Sequence, residues 1–194
     1  MMKRIGIFGG AFDPPHMGHV FAVTYALAVG GFDQVWIIPC WEHAFGKKMA
    51  PFEDRIQMCV RAFDPTNYSK VKVMSVEGVI QSKYTVDLLK HLKEKYPDHI
   101  FNLIVGQDEW ADFDNWHKAR GILSMVPVWV IGRDGVPSSH LIKIPDISST
   151  NIRNELQWTG NSESCKGLVP AAVLEYIGEK TLYLQKAGIP CPSL

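Results

Sequence analysis

Short apolar runs recur along the chain at Ile5 to Phe8, Gln34 to Pro39, Val71 to Val76, Ile100 to Val105 and Val126 to Ile131, and each is followed by a longer stretch with helical spacing. Runs this brief, bounded by glycine, proline or polar clusters, read as buried strands. Strands that alternate with helices leave few options, because a parallel crossover needs a helix's length of chain to return. The chain is therefore expected to form a doubly wound, mainly parallel α/β sheet with helices on both faces. The helices are read at Val20 to Val29, closed by Gly30-Gly31, and at Phe52 to Phe63. A third follows Thr85, taken as its N-cap, with Val86, Leu89 and Leu92 on one face and Pro97 as the stop. Others span Lys118 to Met125, start near Ser148, and span Pro170 to Ile177. A weak strand is expected around Leu141 to Ile144.

With 194 residues and 46% hydrophobic content, one domain over 1–185 is expected, with a loose tail from 186 to 194. Twenty basic residues balance twenty acidic ones, so there is no electrostatic footprint for nucleic acid or an anionic membrane. A phosphate ligand must then be met by local positive groups. Cys40, Cys59, Cys165 and Cys191 are scattered without a C-x-x-C pair, which suits neither a disulfide framework nor a zinc site. The apolar start is interrupted at Gly9-Gly10 and no later run is long enough to span a bilayer, so a cytoplasmic protein is expected.

In open α/β sheets ligands bind beyond the carboxyl ends of the strands, so the loops starting at Gly9, Cys40, Gly106 and Asp146 are expected to face one crevice. The first of these, Gly9-Gly10-Ala11-Phe12-Asp13-Pro14-Pro15-His16-Met17-Gly18-His19, is the richest in chemistry. Two glycines allow unusual backbone angles and close approach of a ligand. Asp13 reads as a helix cap, and the prolines set an extended lead into a helix starting near His16. A helix N-terminus seats phosphate, and His16 and His19, three apart, can both donate to one phosphate chain. Gly18 between them leaves room for a large ligand. The same pair is also compatible with half a metal site or with plain capping and packing. No G-x-G-x-x-G follows the strand, and Gly46-Lys47 lacks the rest of a P-loop.

A second stretch, Ile147-Ser148-Ser149-Thr150-Asn151-Ile152-Arg153, offers hydroxyls at a helix start and a permanently charged fork one turn in. Taken alone, serines and threonines there are ordinary caps.

Together the two stretches resemble the signatures of the nucleotidyltransferase superfamily, and in particular those of bacterial nicotinate-nucleotide adenylyltransferases. The tetrapeptide His16-Met17-Gly18-His19 also nearly spells a class I aminoacyl-tRNA synthetase signature, but that family's lysine-rich second motif is missing. Pantetheine-phosphate adenylyltransferases and cytidylyltransferases match less well at His16 and at the second stretch. The resemblance implies a Rossmann-like nucleotidyltransferase fold. It implies that Gly9, Gly10, Phe12, Ser149 and Thr150 bind ATP, that His16, His19 and Arg153 are catalytic, and that Lys47, Thr85, Asp108 and Trp116 meet a pyridine mononucleotide. Arg55 follows the lysine-bearing loop on the family's arginine helix. Mg²⁺ is implied on the ATP phosphates, with no metal site in the protein's own side chains. Ala11 stands where the family usually has Thr or Ser, and Lys83 where it has Ser.

The activity so implied joins the AMP part of ATP to nicotinate mononucleotide and releases pyrophosphate. A nicotinamide-nucleotide or other small-molecule adenylyltransferase and a non-catalytic nucleotide-binding regulator are the alternatives. Thr85 at a helix start, with no acidic neighbour on its N-terminal side until Glu77, favours a ring carboxylate over an amide. Trp116 is expected to stack on either ring.

Overall fold

The computed structural model describes residues 1–43, 46–64, 66–132 and 145–184. Among these, β1 (Arg4–Gly10), β2 (Gln34–Pro39), β3 (Val71–Val73), β4 (Ile100–Gly106) and β5 (Val128–Ile131) form one sheet in the order β3-β2-β1-β4-β5. Every pairing is parallel. The chain begins in the middle, moves out to β3 and returns past β1 to β4. The order therefore reverses between β1 and β4, and a crevice opens above their carboxyl ends.

Alternating strand residues supply two cores. Ile5 and Ile7 of β1, Trp36 and Ile38 of β2 and Leu103 and Val105 of β4 meet α4 (Thr85–Lys95) and α6 (Ala119–Met125), which bring Leu88, Leu89, Leu92 and Ile122. On the opposite face Phe8, Ile37, Ile104 and Ile131 pack with α1 (Met17–Val29), α2 (Phe52–Ala62), α7 (Ser149–Thr159) and α8 (Ala171–Lys180). Burying each large aliphatic side chain contributes roughly 1.5–3 kcal/mol, so both faces must stay covered. Gly6 has no side chain because a Cβ there would stand 2.5 Å from Ile104 Cδ1.

Several expected boundaries shift. The strand expected to reach Val76 stops at Val73, because β3 is an edge strand paired only over Val71–Val73; Val76 instead opens the short helix α3 (Val76–Ile80). The strand expected from Val126 starts at Val128, since Val126 still donates its N–H to the Ile122 carbonyl of α6 and Pro127 has no N–H to offer. Tyr84, not Thr85, occupies the N-cap of α4, which makes Thr85 its first helical residue. The helix expected to end near Ile177 runs on to Lys180. The expected strand at 141–144 and the tail 186–194 lie outside the described residues.

Candidate active site

The turn from β1 into α1 differs in one respect from the glycine-driven turn expected. Gly9 and Gly10 finish the strand, and the left-handed residue is Phe12, at φ 48°. Its ring is 1% exposed, wedged edge-on against Phe8 and tilted over His19, so packing holds the strained backbone in place. A Cβ on Gly10 would lie 3.3 Å from that ring, whereas one on Gly9 would meet only a carbonyl at 3.9 Å. A side chain at Gly10 would thus press on the Phe12 ring, and Gly9 leaves backbone bare to the crevice.

His16 is the N-cap of α1, in extended conformation, and its ring lies beside that of His19 with centroids 3.8 Å apart. His19 Nδ1 accepts the backbone N–H of His16 at 3.1 Å, so the neutral ring carries its proton on Nε2, the nitrogen that can donate to a ligand. Gly18 borders the crevice, as expected, and a Cβ there would also stand 3.0 Å from the His16 ring. Gly18 thus admits the histidine.

Asp13 is not a cap. Its carboxylate is buried, with Oδ1 accepting the Ala50 N–H at 3.1 Å and the Tyr183 hydroxyl at 2.6 Å. Arg153 Nη1 donates to the Asp13 carbonyl at 2.6 Å and stands 3.5 Å from Oδ2, an ion-pair distance too long for a hydrogen bond of ordinary strength. Arg153 Nη2 and Lys47 Nζ both donate to the Thr150 hydroxyl, at 3.2 and 3.4 Å. With both lone pairs engaged, Thr150 has its proton to donate outward. Ser149 instead gives its proton to the Pro14 carbonyl at 3.0 Å and braces α7 against the turn.

These groups line a cavity of 370 Å³ bounded by His16, His19, Lys47, Ser149, Thr150 and Arg153. Lys47, expected with the pyridine nucleotide, stands here with Thr150. A second cavity, of 620 Å³, is lined by Thr85, Trp116, Tyr84, His117, Lys83 and Glu77, among others. Gly9, Gly10, Ala11, Asp108 and Glu109 line both. Asp108 lies in the first turn of α5 (Gln107–Ala111), and Gly106 admits it: a Cβ on Gly106 would stand 2.6 Å from Asp108 Oδ1. Trp116 rests on Phe113 with centroids 5.2 Å apart, and His117 stacks on Tyr84 at 4.2 Å.

Arg55 stands behind both cavities as a buried staple. Its guanidinium donates to the carbonyls of Ala50, Ala11 and Trp41 at 3.0, 2.9 and 3.3 Å, which ties the turn after β1 to the loop after β2. Glu77, buried beside it, accepts the Trp41 N–H at 2.9 Å. Burial raises the Glu77 carboxyl to about 7, against the opposing pull of Trp41 and Arg55. Burial likewise pushes the Cys40 thiol up to about 11, so this residue lines the second cavity as a neutral thiol and not as a nucleophile. His43, in the same wall, is held below its ordinary value by burial and by Lys47. Tyr84 enters the motif-based reading only through its place beside Thr85 in a stretch resembling S-Y-T, and His117 and Tyr183 are absent from it. Each reaches its cavity or its partner through tertiary contacts that carry no local pattern.

The family model described as cytidylyltransferase-like matches residues 7–155. A probable nicotinate-nucleotide adenylyltransferase of Anaeromyxobacter sp. (strain K) is 40% identical over 185 residues, covering 93% of this chain and 97% of the relative. Its counterpart in Myxococcus xanthus (strain DK1622) is 35% identical over 183 residues, covering 93% and 94%. Among solved structures, the Plasmodium falciparum nicotinic acid mononucleotide adenylyltransferase complexed with NaAD shares the fold at a TM-score of 0.82 and 24% identity, covering 93% of this chain and 97% of that one.

Proposed function

The chain belongs to the cytidylyltransferase-like family, within its nicotinate-nucleotide adenylyltransferases, and on that premise we propose that its joined cavities hold ATP and nicotinate mononucleotide for adenylyl transfer. The observation that carries the reading is the shared wall. A cavity lined by phosphate donors and another lined by aromatic rings meet at Gly9–Ala11 and Asp108, where two phosphates would be brought together.

The 5′-phosphate of the mononucleotide attacks the α-phosphorus of ATP in line. A new P–O bond forms, the α–β bridging P–O bond breaks, and pyrophosphate leaves. No protein nucleophile is required, so positioning and charge neutralisation supply the rate. His19 Nε2 and His16 meet the charge developing on the transferred group. Arg153, Lys47 and the Thr150 proton hold the leaving phosphates, while Gly9, Gly10 and Phe12 shape the nucleotide's seat. Asp108 is suited to a ribose, and Trp116 to the pyridine ring.

Mg²⁺ is proposed to arrive with ATP. Among the described residues no group of three or more His, Cys, Asp or Glu forms a metal cage. The ion would be held chiefly by phosphates and water, with Asp108 or Glu109, which line both cavities, as the nearby carboxylate. The ion would neutralise phosphate charge. Among the described residues no helix is long and apolar enough to cross a membrane, and Cys40, Cys59 and Cys165 are free thiols, which supports action in the cytoplasm.

The test is a panel of mononucleotides with ATP and Mg²⁺, followed for dinucleotide and pyrophosphate. Nicotinic acid adenine dinucleotide is the expected major product. ATP binding without pyrophosphate from any pyridine mononucleotide would favour a regulator instead.

A further inference from the structure

The buried carboxylate of Asp13 poses a problem for the site it borders. A negative charge 3.5 Å from Arg153 competes with any triphosphate for that guanidinium, in surroundings where Asp13 is 1% exposed and water screens little. Yet Arg153 makes its short contact to the neutral Asp13 carbonyl, at 2.6 Å.

The other carboxylate oxygen shows why. Oδ1 is where the Ala50 N–H and the Tyr183 hydroxyl arrive, the latter at 2.6 Å. Two donors on Oδ1 draw the negative charge to the side facing away from Arg153. Tyr183 comes from beyond α8, outside the 7–155 span of the family match, and reaches 170 positions back along the chain to do so. Its backbone is held at φ 61°, a left-handed conformation that a tyrosine adopts at a cost, so the surrounding structure over-determines its placement. Burial and the Asp13 carboxylate push its phenol far above the ordinary value, which keeps the hydroxyl protonated as a donor.

We propose that Tyr183 is a positioning residue for ATP: its hydroxyl, by engaging Asp13 Oδ1, leaves Arg153 available to the triphosphate. The chain of contact runs from Tyr183 through Asp13 to Arg153 and on to Thr150 and Lys47. Without the hydroxyl, charge returns to Oδ2 and Arg153 is drawn back. The inference rests on the first cavity being the triphosphate seat.

Tyr183→Phe removes one oxygen and little packing surface. Calorimetric ATP binding with Mg²⁺ is expected to weaken roughly tenfold, by a hydrogen bond's worth to a charged group. Binding of nicotinate mononucleotide should stay within about twofold of wild type, and Arg153→Lys should mask the effect, so that Tyr183→Phe/Arg153→Lys binds ATP no worse than Arg153→Lys alone. Unchanged ATP affinity in Tyr183→Phe would overturn the proposal. So would equal weakening toward both ligands alongside a lower Tm, or additive losses in the double variant. Because ATP binding is read without turnover, failure of adenylyl transfer in the mononucleotide panel would be told apart from failure of this inference.

Discussion

The two cavities are built by different means. The phosphate end takes most of its donors from two continuous stretches, each folded around the start of a helix, which place His16, His19, Ser149, Thr150 and Arg153, with Lys47 added from the loop after β2 and Arg153 steadied by Asp13. The ring end is assembled from pieces far apart in the chain: Cys40 behind β2, Glu77 on α3, Tyr84 and Thr85 at the start of α4, and Trp116 and His117 past α5. Phosphate needs N–H and cationic donors at a helix terminus, which a short motif can encode. A flat ring needs walls, and these come from whatever the fold brings alongside.

If that contrast holds, damage at the phosphate end should strike turnover. His19→Ala is expected to lower kcat roughly 10²- to 10³-fold, the usual cost of one preorganised donor to developing charge, and to lower Tm moderately, since it leaves the His16 N–H and the Phe12 ring without their partner. His16→Ala should cost similar turnover and should also lower Tm, since its ring packs on Gly18 and His19. Near-normal pyrophosphate release by either variant would mark that histidine as structural.

Arg153→Ala comes next in size. Beyond the lost phosphate contact, it leaves the buried Asp13 carboxylate without its cationic partner. We expect kcat/KM for ATP to fall roughly ten- to a hundredfold and stability by about 1–3 kcal/mol. Loss of ATP affinity at full stability would show that Asp13 is held by Ala50 and Tyr183 alone.

The same contrast accounts for what the sequence made legible. The runs that became β2 and β4 announce themselves because central strands are apolar on both faces, and the reading of Gln34–Pro39 coincides with the strand. The edge strand β3, paired on one side only, lost half of its expected length. At the site, the residue types of both motifs pointed to phosphate, yet the duties within them were misjudged wherever the partner is remote. Asp13 looked like a cap because its donors, Ala50 and Tyr183, lie 37 and 170 residues away. Lys47 was expected with the mononucleotide, and its contact to Thr150, 103 residues on, has no local pattern to announce it. Strain was equally hidden: two glycines drew attention, and the left-handed residue was Phe12.

At the ring end smaller effects on KM are expected. Trp116→Ala should raise KM for nicotinate and nicotinamide mononucleotides by similar factors, about five- to tenfold, because a stacking face does not read the ring substituent. A loss confined to one substrate would mean that Trp116 also contacts that substituent.

The smallest and sharpest test falls on Glu77, which sequence distance seemed to remove from Thr85 and which the fold returns to the same cavity. An acid whose pKa rises on folding binds more protons in the folded state, so its support of stability is full below its unfolded pKa and lost as pH climbs to the folded one. For Glu77 that window runs from its ordinary 4.5 to about 7. Over it, stability is expected to fall with rising pH, at up to about 1.4 kcal/mol per unit, and the slope should flatten in Glu77→Gln, whose amide oxygen can still accept the Trp41 N–H. The charge gained on passing pH 7 also lines the ring cavity and repels a second carboxylate. KM for nicotinate mononucleotide should therefore rise about twofold to threefold between pH 6 and 8 in the wild type, an effect of under 1 kcal/mol, while KM for the amide stays level. Glu77→Gln should abolish that rise and sharpen the preference for the acid, whose binding then rests on Lys83, Thr85 and the start of α4. An unchanged pH profile in Glu77→Gln would place the ring substituent away from Glu77, at the Tyr84–His117 side of the cavity.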